Sequence, residues 1–313
     1  MPKYKMSFIL PTYNVEVYLA ECIESILQQS IEKEILIVDD GSTDNSLAIA
    51  LDYAKRYENI TVLHSQNRGV SAARNLGGRA AQGEFILWID PDDTLSTNIN
   101  FRHMYQLAKQ CNISVIKGQF DNYNQSSPNV RYSNPPANKS VTGNTVQIQS
   151  MVNFYRNTLI NNWYTNMACF MFEKSFVEKN ILQFDESLSM GEDGVFIIDL
   201  FSIDTNILEV PYIFFSYRVH NQSAVGATIT KKRLLSVAHS LELIKERISN
   251  ARIPELKRLI ELTLAIYCYF LHRDFNDAPS DVKQDLKYLI TPELIAYYQA
   301  HGVKLNEKEK FLL

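Results

Sequence analysis

Cysteine is scarce in this chain, and its cysteines lie far apart. Only four occur among 313 residues, and none of them forms a C-x-x-C pair. Structural zinc sites and disulfide scaffolds depend on closer spacing, so we expect neither here, and the scarcity fits a reducing compartment. The four positions are Cys22, Cys111, Cys169 and Cys268.

Long hydrophobic segments are also missing. The longest apolar stretch, near Leu262–Leu271, is well short of the roughly 20 residues that a membrane-spanning helix needs. The N-terminus runs directly into the apolar stretch Met6–Leu10 and a proline, which does not resemble a secretory signal. We therefore expect a soluble, cytoplasmic protein, with peripheral contact at the inner face of the membrane as the alternative.

Two further absences concern phosphate-bearing ligands. The net charge is -4, whereas proteins held to nucleic acid through phosphate contacts are usually basic, so nucleic acid is not an expected partner. The chain contains neither a G-x-G-x-x-G motif after its first strand nor a G-x-x-x-x-G-K-[ST] loop. We therefore expect any bound phosphate to be held by metal and arginine.

What the chain does contain is an alternation of apolar strands and amphipathic helices in its N-terminal region. Apolar residues three and four positions apart predict helices between the strands. Continuous apolar strands separated by such helices predict an α/β fold with a mostly parallel sheet flanked by helices. The four predicted strands are 6–10, 35–38, 60–63 and 85–89.

Polar clusters follow three of these strands: Pro11–Asn14, Asp39–Asp44 and Asp90–Asp93. Ligands of such sheets bind beyond the carboxyl ends of the strands, so we expect the clusters to share one edge. The three carboxylates of the last cluster repel one another unless a cation or solvent offsets their charge. Their oxygens suit Mg²⁺ or Mn²⁺. The alternative is a solvated turn in which Asp92 or Asp93 caps the next helix.

Three other residues are candidates for chemistry, each with a plainer alternative. Asp40 could accept the imide N–H of a uracil, or belong to an ordinary turn. Arg74 lies in a helix stripe of small residues, where a guanidinium suits phosphate, or it is a surface arginine. Asp193, on the glycine-flanked turn Gly191–Gly194, is a candidate general base or a helix N-cap.

The rest of the chain is less regular. Residues 121–143 are rich in Asn, Ser and Pro and predict a mobile loop or a surface insertion. From Lys231 onward the pattern is helical, so we place a domain boundary near Gly226. This gives a catalytic domain over residues 1–226 and a helical extension over residues 227–313. Within the catalytic domain, residues 1–93 would bind the nucleotide and residues 94–226 the acceptor.

Taken in order, these motifs resemble family-two glycosyltransferases with the GT-A fold. The resemblance covers about residues 5 to 220, and the helical tail lies outside it. Pro91 departs from the family pattern, which usually has a small polar residue there; proline should stiffen the turn without removing a ligand. The matching stretches are Pro11–Asn14, Val38–Asp44, Asn67–Gly69, Ala73–Asn75, Asp90–Asp93 and Glu192–Asp193.

The resemblance implies an inverting transfer of a hexose or N-acetylhexosamine from a UDP-sugar to a hydroxyl of an oligosaccharide or a lipid-linked glycan. Asp193 would be the catalytic base, and Asp92 with His220 would ligate Mn²⁺ or Mg²⁺; a plain strand-end histidine is the alternative for His220. Trp163 and Glu192 would contact the acceptor. The donor would be bound by Pro11, Thr12, Tyr13, Asn14, Asp40, Asn67, Arg74, Asp90, Pro91, Asp92 and Asp93.

Two questions stay open at this point. The chain could instead be a catalytically silent nucleotide-sugar-binding partner of a glycan-assembly complex. Its tail could pack on the catalytic domain, pair with a second subunit, or bring the basic run Lys231–Arg233 to anionic lipid. Neither the donor sugar nor the acceptor can be derived from these residues, although the resemblance suggests synthesis of a bacterial surface glycan.

Overall fold

The computed structural model describes residues 2–124, 127–134, 145–160, 166–220 and 228–302. No helix in these ranges combines the length and the apolar character needed to cross a membrane. The predicted boundary residue Gly226 and the predicted acceptor residue Trp163 lie outside the described residues.

The chain forms two compact units, and each is interrupted in sequence. The first contains Met1–Met151, Thr165–Glu186 and Thr205–His220, and the second contains Val152–Tyr164, Ser187–Asp204 and Asn221–Leu313. Two short segments from the middle of the chain therefore cluster with the helical tail. The division at residue 226 stays a prediction.

Among the residues that the structure describes, the first unit is built on one sheet of ten strands, so the predicted α/β architecture is confirmed. The strands are β1 (Tyr4–Thr12), β2 (Lys33–Asp39), β3 (Ile60–His64), β4 (Gly83–Trp88), β5 (Thr94–Leu95), β6 (Val115–Asn124), β7 (Ser127–Asn134), β8 (Gln147–Ser150), β9 (Phe170–Glu173) and β10 (Asn206–Val219). Their order in the sheet is β3-β2-β1-β4-β9-β6-β10-β5, with β7 beside β6 and β8 beside β10.

The sheet is mixed rather than mostly parallel, because β9 pairs antiparallel with both β4 and β6, and β5, β7 and β8 also pair antiparallel with their neighbours. Strands β3, β2, β1 and β4 are parallel, as are β6 and β10. The first four are the strands that the sequence pattern predicts, and most of their central residues are buried. The core of this unit includes edge-to-face contacts of Phe101 with Phe8 and Phe214, at centroid distances of 5.4 and 5.2 Å. Such aromatic pairs add to the burial of apolar area.

Helices connect the strands of the first unit. The sequence periodicity predicts the first three, which lie between the four predicted strands, since each places its apolar residues on the face that packs on the sheet. The helices are α1 (Leu19–Leu27), α2 (Ser46–Arg56), α3 (Val70–Ala80), α4 (Phe101–Cys111) and α6 (Lys174–Lys179).

The second unit is helical where the structure describes it. Its helices are α5 (Met151–Ile160), α7 (Glu192–Phe201), α8 (Lys231–Asn250), α9 (Pro254–Asp277), α10 (Ser280–Leu286) and α11 (Pro292–Ala300). Helix α8 begins after a Thr230 cap, whose side chain accepts from the backbone N–H of Arg233 at 3.2 Å. The helical pattern predicted from Lys231 onward is divided into several helices, and the last of them begins at Pro292, a first-turn position that suits proline, after a Thr291 cap.

The segment 121–143, expected to be a loop or an insertion, is strand where the structure describes it. Its first residues continue β6, and 127–134 form β7 antiparallel to β6. Main-chain hydrogen bonds hold this pair, and they do not depend on apolar side chains. The polar composition therefore concealed a pair of antiparallel strands. Residues 125–126 and 135–143 lie outside the described ranges.

Candidate active site

The polar clusters that follow β1, β2 and β4 lie at one edge of the sheet, as their strand-end positions predict. Thr12 pairs with Asp39 across the parallel strands, and the backbone N–H of Asp40 donates to Thr12 O at 2.8 Å. On the other side of β1, the N–H of Ile89 donates to Ile9 O at 3.1 Å, which brings the Asp90–Asp93 cluster beside it.

The first cluster offers two exposed side chains and two buried ones. Pro11 and Thr12 are buried, whereas Tyr13 and Asn14 are exposed. The Thr12 hydroxyl donates to Leu10 O at 3.0 Å within its own strand. Tyr13 is 44% exposed, and its hydroxyl accepts from Asn67 Nδ2 at 3.2 Å. An exposed ring with one anchored hydroxyl gives a base or a sugar a flat surface to contact.

Two asparagines shape this edge. Asn14 and Asn67 have φ values of 51° and 46°, in the left-handed region that asparagine tolerates better than most residues. Asn14 Oδ1 accepts from the backbone N–H of Thr43 at 2.8 Å, which joins the turn after β1 to the turn after β2.

Asp40 anchors a loop. Its carboxylate accepts hydrogen bonds from the Ser65 hydroxyl and from the backbone N–H groups of Arg68 and Gly69, the latter two at 2.9 and 2.7 Å. The residue is 3% exposed. Since a carboxylate has about four acceptor positions, these bonds leave little capacity for a further donor. A contact of Asp40 with uracil stays a prediction.

Arg74 is buried, so the surface-arginine alternative is wrong. It is 3% exposed, and its Nη2 donates to Asp90 Oδ1 at 2.9 Å. Its guanidinium lies 5.0 Å from the centre of the Phe184 ring, and its carbonyl accepts from Trp88 Nε1 at 3.0 Å. This arginine orients Asp90 at the end of β4, while the Asp90 side chain stays partly open to solvent.

Asp92 and His220 are in contact. Their Oδ2 and Nε2 atoms lie 3.1 Å apart, and the imidazole packs against the Tyr18 ring with a centroid distance of 4.7 Å. Burial and the charge of Asp90 raise the pKa of Asp92, although the His220 contact opposes that shift. The structure thus brings the two predicted metal ligands together from the end of β10 and from the turn after β4.

Asp93 is a buried carboxylate with one oxygen that has no partner among the described residues. The residue is 1% exposed; Oδ1 accepts from the Arg218 N–H at 2.8 Å, and Oδ2 is the oxygen left over. Burial, and then Asp92 and Asp90, raise its pKa well above the usual range. The alternative of a solvated turn is therefore wrong for Asp93.

The same negative charge acts on a buried thiol. Burial and the charges of the three aspartates raise the pKa of Cys22 well above its usual value.

Carboxylates that repel one another beside an imidazole fit a divalent cation, since oxygen and nitrogen ligands suit Mn²⁺ or Mg²⁺. Within the described ranges, no group of three or more His, Cys, Asp or Glu residues is arranged to hold a metal by itself.

Arg218 is a residue that the sequence reasoning missed. Its backbone N–H holds Asp93, its Nε donates to Asp92 O at 2.8 Å, and its Nη2 donates to Glu21 Oε2 at 2.6 Å. The guanidinium also lies 5.0 Å from the centre of the Tyr18 ring. The only sequence signal was its place two residues before His220, because Arg218 and Asp93 lie 125 positions apart in the chain and no local pattern links them.

Asp193 and Glu192 lie in the second unit, at the start of α7. Gly191, with φ 87°, is the residue before the helix, so Asp193 is a helical residue and the N-cap alternative is wrong. Glu192 is buried and Asp193 is half-buried. Their roles as acceptor contact and catalytic base stay predictions.

Comparisons with known proteins point to one family. The profile of Glycosyl transferase family 2 matches residues 7–181. The chain is 35% identical over 199 residues to the uncharacterized glycosyltransferase EpsJ of Bacillus subtilis, covering 63% of this chain and 56% of that protein. It is 33% identical over 169 residues to glycosyltransferase GlyG of Streptococcus pneumoniae, covering 53% and 54%. The chain thus spans about half the length of these curated relatives.

A further relative matches nearly the whole chain. The minor teichoic acid biosynthesis protein GgaB of Bacillus subtilis is 28% identical over 98% of this chain and 36% of its own length. Among solved structures, Staphylococcus aureus TarS 1–349 in complex with UDP-GlcNAc has a TM-score of 0.66 at 20% identity, over 95% of this chain and 79% of that one. The mannosyltransferase PcManGT of Pyrobaculum calidifontis, in complex with GDP-Man and Mn²⁺, has a TM-score of 0.57 at 15% identity, over 97% and 88%.

Proposed function

The chain belongs to glycosyl transferase family 2 and has the GT-A fold, and from this premise we propose that it transfers a sugar from a UDP-sugar to an acceptor hydroxyl with inversion. The observation that carries the proposal is the group of three aspartates after β4. Arg74 holds Asp90, His220 contacts Asp92, and Arg218 holds Asp93. A diphosphate and a cation are the ligands that this arrangement of charges fits.

The chain's own residues would bind the donor at the edge of the sheet. Tyr13 offers an exposed ring to the nucleoside, and Asn67 anchors its hydroxyl. Asp90, oriented by Arg74, would accept from hydroxyls of the donor. No described residue donates a hydrogen bond to Oδ2 of Asp93. A hydroxyl group of the sugar that is transferred would donate that hydrogen bond.

A divalent ion would be held by Asp92 and His220, with the remaining ligands supplied by the diphosphate and water. When bound, such an ion stabilises the charge that builds on a departing diphosphate. The fit rests on the contact between the two side chains and on the raised pKa of Asp92, since a cation relieves the repulsion that raises it.

Asp193 would remove the proton of the attacking acceptor hydroxyl. The hydroxyl oxygen forms the new bond to the anomeric carbon from the face opposite the bond to UDP, which inverts that centre. The proton passes to the Asp193 carboxylate and the electron pair of the broken bond leaves with UDP. General base catalysis of this kind contributes typically about 10² to 10⁴ in rate.

The acceptor proposed is a bacterial surface polysaccharide or teichoic-acid chain. The names of relatives support this class, among them the protein of minor teichoic acid biosynthesis and a poly(ribitol-phosphate) beta-glucosyltransferase, which is 36% identical over 125 residues. A cytoplasmic location would give the chain access to UDP-sugars.

The proposal is tested by UDP release. The purified chain is given UDP-glucose, UDP-galactose, UDP-GlcNAc and UDP-GalNAc, each with Mn²⁺ and with EDTA. We expect metal-dependent release from one of them, and a loss of about 10² or more in kcat for Asp193→Asn with UDP affinity unchanged.

A control variant and two possible results distinguish the enzyme from the catalytically silent partner. Asp204→Asn, at an exposed acidic position shortly after the same helix, controls for the loss of one negative charge and should keep full activity. Full transfer by Asp193→Asn would remove that residue from the chemistry. UDP binding without turnover of any donor would favour the catalytically silent partner.

A further inference from the structure

The segment Ser187–Gly194, here called the base loop, carries Asp193 and is held by helix α8. The Ser236 hydroxyl accepts from the backbone N–H groups of Ser189 and Met190 at 2.9 and 3.0 Å and donates to Met190 O at 2.9 Å. One hydroxyl has one donor and two acceptor positions, so Ser236 uses its full capacity on this loop. Ser236 is 7% exposed, so little water can replace it.

Two glycines of the base loop lie directly against α8 and α9. A β-carbon at Gly191 would lie 3.2 Å from Ser240 Oγ, and one at Gly194 would overlap Tyr267 Oη. The Tyr267 side chain therefore fills the space beside the residue that follows Asp193. Burial, followed by the charges of Asp193 and Glu192, raises the pKa of Tyr267, so its hydroxyl keeps its proton.

An ion pair with helix α8 holds the part of helix α7 that follows the base loop. Arg247 of α8 donates from Nε and Nη2 to the two oxygens of Asp199, both at 2.9 Å. Such paired bonds constrain orientation as well as distance. Asp199 follows Asp193 on α7, so the helix that begins in the base loop is anchored to α8 on both sides of Asp193.

We propose that helices α8 and α9 of the C-terminal tail position the catalytic base. This rests on the proposed function, because it takes Asp193 as that base. Ser236, Tyr267 and Arg247 do not touch the reacting atoms; they are positioning residues that act through the base loop and α7.

The position of the base matters for the rate because a proton is transferred only over a short distance. A base must lie within hydrogen-bond distance of the hydroxyl that it deprotonates, and a displacement of about 1 Å can cost on the order of 10² in rate. Ser236→Ala leaves two backbone N–H groups without their acceptor, which releases the loop while leaving the donor-binding residues of the first unit unchanged.

The test compares Ser236→Ala with Ser249→Ala, an exposed serine of the same helix whose hydroxyl donates to Lys245 O within α8. With the UDP-sugar that the unchanged chain turns over fastest, we expect Ser236→Ala to lose about tenfold in kcat while KM for the donor stays within about twofold. Ser236→Thr, which keeps the hydroxyl, should recover most of kcat, and Ser249→Ala should match the unchanged chain.

Hydrogen exchange gives a readout that needs no substrate. The amides of Ser189 and Met190 should exchange about tenfold faster in Ser236→Ala and at the original rate in Ser249→Ala. Unchanged exchange would overturn the inference, even if no donor were turned over. Unchanged kcat in Ser236→Ala would overturn it as well.

The two proposals fail in different ways. If Asp193→Asn keeps full transfer, the assignment of the base is wrong and the positioning role falls with it. If Asp193→Asn is inactive while Ser236→Ala keeps both its kcat and its exchange rates, the proposed function stands and only the role of the tail is wrong.

Discussion

At the scale of the residue, Asp93 is a carboxylate placed where its charge is costly. It is buried beside two other aspartates, and one of its oxygens has no partner among the described residues. Burial and like charge raise its pKa well above the ordinary value. Such a group destabilises the folded chain until a cation or a ligand hydroxyl reaches it, which is typical of sites that bind charge.

This predicts a dependence of stability on pH in the metal-free protein. Aspartates in the unfolded chain have a pKa near 3.9. Because the pKa of Asp93 is higher in the folded chain, the folded chain binds this proton more tightly. The destabilisation by Asp93 is therefore absent below about pH 4, and it develops as the pH rises through the folded-state pKa. Asp93→Asn should raise the free energy of unfolding at pH 8 and change it little at pH 4.

Urea unfolding in EDTA at the two pH values measures this effect. The amide oxygen that the substitution introduces could still accept from the Arg218 N–H. Asp52→Asn, at an exposed position of α2, is the control and should change stability by less than about 0.5 kcal/mol at either pH. A variant of Asp93 less stable than the unchanged chain at pH 8 would contradict the account.

At the scale of the element, helix α7 contains a glycine near its start because a neighbouring helix occupies the side-chain space. Alanine is ordinarily about 1 kcal/mol better than glycine inside a helix. Gly194 has no room for it, since a β-carbon there would overlap Tyr267 Oη and lie 2.5 Å from Tyr267 Cζ. Packing between helices here outweighs helix propensity.

A double-mutant cycle tests this contact. Gly194→Ala alone should lower the free energy of unfolding by about 1–3 kcal/mol, the usual cost of overpacking. In a Tyr267→Leu background the same change should be neutral or stabilising by up to about 1 kcal/mol. The difference between the two effects is the coupling energy, measured by urea unfolding of all four proteins. Strictly additive effects would show that the two residues do not compete for space.

At the scale of the whole molecule, binding of the proposed donor and metal should raise the free energy of unfolding. A ligand that binds only the folded chain at 100 times its Kd adds about 2.7 kcal/mol to the free energy of unfolding. We expect UDP with Mn²⁺ to raise the Tm by several degrees, and EDTA to reverse most of the rise. Asp92→Ala should abolish the metal-dependent component.

Differential scanning calorimetry of the full chain measures the rise. Glu242→Ala, at an exposed position of α8, is the matched control for loss of one carboxylate and should keep the response. A rise in Tm for Asp92→Ala equal to that of the unchanged chain would show that Asp92 does not bind the proposed metal.

Sequence patterns alone determined the alternation from β1 to β4 and the shared edge of three polar clusters. These features are local: apolar periodicity sets each element, and parallel strands place their carboxyl ends together. The motifs around Arg74, Asp90, Asp92 and Asp193 also indicated the family that the profile of residues 7–181 confirms.

Only the tertiary structure decided which distant residues meet. The contacts of Arg218 with Asp93, of Ser236 with Met190 and of Gly194 with Tyr267 join residues that are far apart in the chain. Likewise, β7 is a strand because its backbone pairs with β6. Such pairings depend on the whole packed arrangement, because no local preference specifies which partner is brought near.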